Sequence, residues 1–325
     1  MKVLVTGGAG FIGSHVVDAL LDAGHFVKVI DNFSSGRPEN LAHVSNEIEL
    51  IEGDLCKLEH LDRVFEGIDW VIHLAALADI VPSIQDPELY FHSNVTATLN
   101  VLSLSRAYNI KRLIYAASSS CYGLANVFPT PEGASLNPEY PYALTKLMGE
   151  QLIMHWEKVY GIPSLSLRFF NVYGIRSRTS GAYGAMFGVF LAQKLAGKPF
   201  TVVGDGSQKR DFTYVTDVAD AVISACSSDK SGSVYNVGSG ECVSVLEIVE
   251  KLGGDLTFIP KRPGEPNVTF ADTSLIQKDL GWRPKVSLDR GVDNVLRDIQ
   301  YWSEATVWSP EEIELATKDW FKFLA

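Results

Sequence analysis

A short β-branched run, Lys2–Thr6, stops at Gly7-Gly8-Ala9-Gly10-Phe11-Ile12-Gly13, and a helical pattern begins at once. Strand, glycine turn and helix in this order make a glycine fingerprint meaningful. The glycines allow a tight turn and a close backbone approach, and the helix start offers free N–H groups and a positive dipole end. Gly7, Gly10 and Gly13 are therefore candidates to cradle a pyrophosphate, although a glycine turn without ligand has the same local composition. Asp31 closes the next apolar run, 18 residues after Gly13, where an acid would accept a ribose 2′-hydroxyl and repel a 2′-phosphate. That pairing favours NAD over NADP. Asp54-Leu55 follows the third run. It reads either as the edge of an adenine site or as a helix cap.

The pattern behind the fingerprint repeats. Phe26–Ile30, Ile48–Ile51, Trp70–Leu74, Arg112–Ala116 and Pro163–Arg168 are short apolar runs with helical stretches between them. Such alternation argues for an α/β fold with a doubly wound parallel sheet covered on both faces. Residues 1–170 form this Rossmann domain, with the helix Tyr142–Tyr160 belonging to it. After Asn171 the texture changes to shorter elements punctuated by Gly174, Gly181, Gly184, Gly197 and Pro199. Strands are expected at Thr201–Val203 and Val234–Val237, and helices at Val215–Ser227, Val245–Leu252 and Leu288–Ser303. Residues 171–325 thus read mainly as a smaller α+β substrate lobe, with some segments returning to the first domain. In the tail, Ser309-Pro310-Glu311-Glu312 reads as an N-cap, a first-turn Pro and a capping-box Glu. Ile313, Ala316, Trp320, Phe321 and Leu324 give the helix that follows an apolar face for packing on its own subunit.

Composition excludes several classes. The 325 residues are 46% hydrophobic, which excludes disorder, and carry 28 basic against 39 acidic side chains, a net charge of −11. A broad nucleic-acid surface does not fit that balance. No apolar run approaches the roughly 18 residues of a membrane span, and the N-terminal run is too short for a signal peptide. Cys56, Cys121, Cys226 and Cys242 are widely spaced. They argue against a disulfide scaffold or metal site and for reduced thiols in a cytoplasmic protein.

Chemistry is carried by Tyr142-Ala143-Leu144-Thr145-Lys146, where i and i+4 share a helix face. Such spacing alone is most often a solvated helix face, and its position after the fifth run of a dinucleotide-binding domain is what singles it out. A free phenol, with a pKa of about 10, is a poor base at neutral pH, and a nearby ammonium and the positive nicotinamide ring favour the phenolate. Such a tyrosine takes a proton from a hydroxyl while hydride leaves the same carbon. Ser118, at the end of the fifth run, is placed to hydrogen-bond that hydroxyl.

Together these residues resemble the extended short-chain dehydrogenases/reductases. The resemblance also rests on His73-Leu74-Ala75-Ala76 and Ser118-Ser119-Ser120-Cys121-Tyr122-Gly123. Arg168-Phe169-Phe170-Asn171-Val172-Tyr173-Gly174 and Gly204-Asp205-Gly206…Arg210-Asp211-Phe212 resemble their nucleotide-sugar branch, and among these the UDP-glucose (UDP-galactose) 4-epimerases most. The resemblance covers the chain to about Trp302. It implies a carbohydrate-metabolism enzyme, of the kind used in polysaccharide biosynthesis, that epimerises a UDP-sugar through a 4-keto intermediate with bound NAD. Tyr142 would be the catalytic base and acid, Lys146 would lower its pKa and bind the nicotinamide ribose, and Ser118 would be the third catalytic residue. Phe11, Ile12, Asn32, Leu55, Leu74, Ala75, Ala76, Asn94 and Phe169 would complete the cofactor lining. Asn171, Arg210 and Arg262 would hold the substrate diphosphate, which suits arginine's planar fork. Thr269 would be the small wall residue that admits a C2 N-acetyl group, as in UDP-N-acetylglucosamine. The helices Pro87–Tyr108 and Tyr142–Tyr160 would form a four-helix homodimer interface.

Related chemistries leave marks that can be compared. Nucleotide-sugar 4,6-dehydratases carry an Asp-Glu pair where Ser119-Ser120 stand, and the epimerase-reductases of GDP-sugars carry a Cys where Ser120 stands. Ala78, Met186 and Val203 depart from the 4-epimerase pattern, Val203 where an aromatic often meets the uracil. An epimerase, dehydratase or reductase of a GDP-, CDP- or dTDP-sugar is therefore the alternative, and a cofactor-sensing binding protein the non-enzyme alternative.

Overall fold

The computed structural model describes residues 1–58, 61–177 and 186–324; Gly181 and Gly184 lie outside them. Six strands, β1 (Lys2–Thr6), β2 (Phe26–Asp31), β3 (Ile48–Glu52), β4 (Trp70–His73), β5 (Arg112–Ser118) and β6 (Ser164–Phe169), pair in parallel in the order β3-β2-β1-β4-β5-β6. A seventh, Ser233–Val237, adds in parallel beyond β6. The sequence assigned Val234–Val237 to the small lobe. The structure corrects this, and the helix Val215–Ser227 moves with it, packing beside α1 (Phe11–Asp22) on the same sheet. A strand-length apolar run shows that it is buried, not which sheet buries it.

Both sheet faces are covered. Alternate residues of β1 face opposite layers: Val3 and Val5 join a core with Val16, Leu20 and Val222, whereas Leu4 joins one with Val101, Leu102 and Ile153. The chain reverses its direction of travel across the sheet at β1, where β2 lies on one side and β4 on the other. In open α/β sheets the ligand crevice forms at the carboxyl ends of the strands beside that reversal.

The segment 87–107 is helical throughout, as expected, but it is not regular. Between Pro87–Phe91 and Ala97–Ala107 the residues His92–Thr96 form a wide π turn. Such turns cluster at functional sites, and this one turns Asn94 inward, against Leu77 and Thr145. The smaller lobe is built from three two-stranded pairings, Asn171–Tyr173 with Phe212–Tyr214, Phe200–Val203 with Leu256–Ile259, and Lys209–Arg210 with Val243–Ser244. Phe187, Phe190, Phe200 and Trp302 fill its core. The tail forms the helix Pro310–Leu324, opened by the expected capping box: Ser309 N–H donates to Glu312 Oε2 at 2.8 Å, and Glu312 N–H donates to Ser309 Oγ at 3.2 Å. No helix among the described residues is long and apolar enough to cross a membrane.

A buried ion pair joins the sheet to the helix Pro141–Tyr160. Arg168, on β6, donates from Nε and Nη2 to the two oxygens of Glu150 at 2.9 and 2.5 Å, with both side chains almost wholly buried. Its Nη1 donates to the Tyr122 hydroxyl at 2.8 Å and to the Glu132 carbonyl at 3.0 Å. Burial is the largest influence on Arg168 and opposes its charge, but the hydrogen bonds to Glu150 and the charge interactions with Cys121, Glu150 and Tyr122 together raise the guanidinium pKa. Removing one partner leaves a buried charge unmatched, which costs about 3–5 kcal/mol. Glu150→Leu is expected to lose about that much in denaturant unfolding, and Glu150→Leu/Arg168→Met to recover most of it.

Candidate active site

The site assembles where β1, β4 and β5 end. Gly7 has φ +71°, and a Cβ there would come within 2.7 Å of the Ala75 backbone; one on Gly13 would collide with the Gly7 carbonyl. The turn thus lies flat against the end of β4, and the N-terminus of α1 faces a cavity of about 380 Å³. Gly7, Gly10, Phe11, Ile12 and Gly13 line it on one side, and Asp31, Asn32, Asp54 and Leu55 on another. Leu74, Ala75, Ala76, Tyr142, Lys146 and Phe169 line the remainder.

Asp31 is buried, and its carboxylate accepts Ala9 N–H and Phe33 N–H, each at 2.9 Å. Burial raises its pKa, and these two donors act in the opposite direction. Asp54 lines the cavity and also accepts Cys56 N–H at 2.9 Å, a turn bond to the second residue on. Asn32 likewise accepts Ser34 N–H at 3.1 Å.

Asn94 is not part of this lining. It is buried behind the cavity wall. Its Oδ1 accepts Leu77 N–H at 2.8 Å, and its Nδ2 donates to the Leu77 carbonyl at 3.0 Å and to Thr145 Oγ1 at 3.0 Å. With the amide so engaged, it fixes the chain after Ala76.

His73 supports the same wall and was noticed in the sequence only as part of a motif. It is buried between Thr6 Oγ1, 2.7 Å from Nδ1, and Thr98 Oγ1, 2.9 Å from Nε2. Thr98 spends its hydroxyl proton on the Asn94 carbonyl at 2.6 Å, so it accepts from His73. Nε2 therefore carries the proton, Nδ1 accepts from Thr6, and Thr6 in turn accepts Ala75 N–H at 3.2 Å. Burial holds the imidazole pKa down to about 3.

A second cavity, of about 430 Å³, meets the first at Tyr142. Ser118, Asn171, Arg210, Arg262 and Thr269 line it, so every residue expected to touch substrate faces one space. Ser118 Oγ accepts Ser120 Oγ–H at 2.8 Å and Ser120 N–H at 3.2 Å. Arg210 donates to Glu265 at 2.8 Å. Thr269 Oγ1 donates to Asn171 Oδ1 at 2.7 Å, which leaves the Asn171 amino group as its donor end. Tyr140, Phe170, Ile313 and Trp320 also line this cavity and were not anticipated as site residues.

The electrostatics differ from expectation at Tyr142. Burial raises the phenol's pKa, and the hydrogen bond with Ser118 opposes the rise. Lys146 is itself desolvated, with a pKa drawn down to about 7 against the pull of Glu150, and its Nζ sits 4.4 Å from the centre of the Tyr115 ring. The protein alone therefore keeps the phenol protonated. Tyr115 reaches this position because residue 149 is glycine, where any Cβ would strike its hydroxyl.

Residues 3–238 match the model of the NAD dependent epimerase/dehydratase family. The chain belongs to that family. It is 34% identical over 302 residues to the UDP-glucose 4-epimerase of Mycolicibacterium smegmatis, covering 90% of this chain and 96% of the relative. A UDP-glucose 4-epimerase of Thermotoga maritima, solved with UDP-glucose, superposes with a TM-score of 0.88 at 33% identity, over 94% of this chain and 99% of that one. A UDP-N-acetylglucosamine 4-epimerase of Methanobrevibacter ruminantium, solved with UDP-N-acetylmuramic acid, gives 0.86 at 33% identity over 91% and 98%. The family and these relatives make the chain an NAD-dependent nucleotide-sugar epimerase, and the glycine cradle with Asp31 fits that cofactor.

The His73 arrangement makes a prediction. Between pH 6.5 and about 3 the unfolded chain binds a proton at this position that the native one does not. Its contribution to stability is therefore lost as pH falls, by up to about 1.4 kcal/mol per pH unit. In ¹⁵N-resolved NMR spectra, His73 is expected to remain the neutral Nε2–H tautomer from pH 8 down to pH 5. A cationic signal at pH 6 would contradict the assignment.

Proposed function

We propose that this enzyme interconverts UDP-glucose and UDP-galactose by inversion at C4, and that it also accepts the C2 N-acetylated sugar. The observation that carries the reading is the meeting of the two cavities at Tyr142. A sugar hydroxyl entering from the second cavity reaches the phenol beside the space that the glycine cradle and Asp31 suit to a dinucleotide.

When bound, NAD supplies the hydride acceptor and donor, and its cationic nicotinamide favours a nearby phenolate. Against a phenol that burial holds protonated, this places the activation of Tyr142 in the loaded enzyme. Tyr142 then takes the proton of the C4 hydroxyl and gives it back after the sugar has turned. Ser118, which hydrogen-bonds the phenol and lines the same cavity, holds that hydroxyl beside the base, and Lys146 supports the phenolate when charged. Arg210, Arg262 and the amino end of Asn171 keep the diphosphate fixed while the sugar presents its other face. Fixing one end of the substrate in this way is what lets a single base serve both faces. Ser119 and Ser120 in place of an Asp-Glu pair support epimerisation over dehydration. The homodimer implied by the resemblance remains part of the proposal.

Tyr142→Phe is expected to bind NAD like the wild type and to lose at least about 100-fold in kcat, the low end for a general acid–base group. Epimers share a mass, so turnover is followed by the sugar H1 and H4 proton resonances. Near-normal turnover in the variant would remove Tyr142 from the mechanism. For the sugar, Thr269→Tyr fills the wall beside Asn171 and is expected to lower kcat/KM for UDP-N-acetylglucosamine at least tenfold more than for UDP-glucose, since clash discriminates by size. Equal losses on both sugars would make Thr269 a support for Asn171 alone.

A further inference from the structure

The tail helix Pro310–Leu324 is tied to both sides of the cleft by adjacent residues. Asp319 accepts Gln85 Nε2–H at 2.7 Å, from the short helix Ile80–Gln85 beside the dinucleotide cavity. Trp320 Nε1–H donates to the Pro263 carbonyl at 2.6 Å, in the loop of the smaller lobe that carries Arg262 and Glu265. The Trp320 side chain is 3% exposed, yet it borders the second cavity together with Ile313 of the same helix. The Arg262 guanidinium carbon lies 5.4 Å from the centre of its indole ring. Tyr140 packs against that ring at 6.2 Å, and Tyr140 lies nearly parallel to Tyr142, with centroids 6.4 Å apart. One indole thus touches an arginine facing the cavity, the backbone of that arginine's loop and the neighbour of the base.

We propose that Trp320 is a positioning residue of the substrate cleft, holding Arg262 in place for the diphosphate of the nucleotide sugar. The proposal rests on the reading of the second cavity as the nucleotide-sugar site. A long arginine loses side-chain freedom when it grips an anion. The indole removes part of that freedom beforehand, through the cation–π contact above the ring and the hydrogen bond that pins the loop. The helix itself is then a wall of the site, delivered by a segment that lies beyond the end of the matched family model at Gly238.

The test uses NAD-loaded full-length protein and calorimetric titration with UDP, dTDP, GDP and CDP in turn. The nucleotide that the wild type binds best carries the comparison, so the choice of base is read separately from the role of Trp320. Trp320→Ala is expected to weaken that nucleotide about tenfold and to raise KM for its sugar by the same factor. Its kcat is expected to stay within threefold and its NAD affinity to be unchanged. Trp320→Phe, which keeps a π face, is expected to recover to within threefold of the wild type. If Trp320→Ala does not fold, Trp320→Leu, which fills the volume without a π face, is read in the same way. Unchanged nucleotide affinity in the Ala or Leu variant would overturn the proposal. So would a parallel loss of nucleotide and NAD binding with a lowered melting temperature, because the helix would then be only a strut.

Discussion

The ion pair between Arg168 and Glu150 holds the helix of Tyr142 and Lys146 against the sheet that carries Ser118 and runs from β6 into Asn171. A charge almost wholly out of water is tolerable only when its hydrogen-bonding capacity is satisfied. Glu150 takes two of the guanidinium donors, and the Tyr122 hydroxyl and Glu132 carbonyl take another. Tyr122 then donates to Asn236 Oδ1 at 2.7 Å, on the seventh strand, and Asn236 N–H donates to Glu132 at 2.9 Å. Helix, β6, the loop after β5 and the edge strand are locked by one network. Its directionality fixes the register of Tyr142 over Ser118 in a way that apolar packing alone does not.

Around that anchor the cleft divides into two environments. The dinucleotide side is made largely of backbone and small side chains, which present N–H groups and little bulk. Its walls are stiffened from behind by Asn94 on Leu77 and by the Thr6–His73–Thr98 chain on Ala75, all buried and mutually satisfied. The other side is lined by long polar and aromatic side chains. Arg210 is already paired with Glu265, and Thr269 with Asn171, so the groups facing the cavity are partly oriented before any ligand arrives. This contrast suits one ligand held still and another that moves.

Burial acts on the two titratable members of the site in opposite senses of charge. It raises the phenol of Tyr142 and lowers the ammonium of Lys146, so each drifts toward its neutral form. The sequence reading has a nearby ammonium and the positive nicotinamide ring together favour the phenolate. In the protein alone desolvation is the larger effect, because both groups sit in the same dry pocket.

The local signals were legible in the chain itself. The glycine turn after β1, the acid closing β2, the Tyr142/Lys146 spacing and the Ser309–Glu312 capping box depend on residues within a few positions of one another, and near-neighbour geometry is what a sequence encodes directly. The residues from Phe11 to Phe169 expected around a dinucleotide line one cavity, Asn94 excepted. Asn94 stands behind that lining within the wide turn at His92–Thr96, and nothing in its own composition announces that turn. The sheet membership of Ser233–Val237 was decided by a pairing with β6 more than 60 residues away. The Arg168–Glu150 pair and the seating of Trp320 beside Arg262 are likewise contacts between distant segments. The sequence shows that the tail helix has an apolar face; only the packed structure decides that this face borders the second cavity, because hydrophobic burial drives a segment inward without specifying a partner.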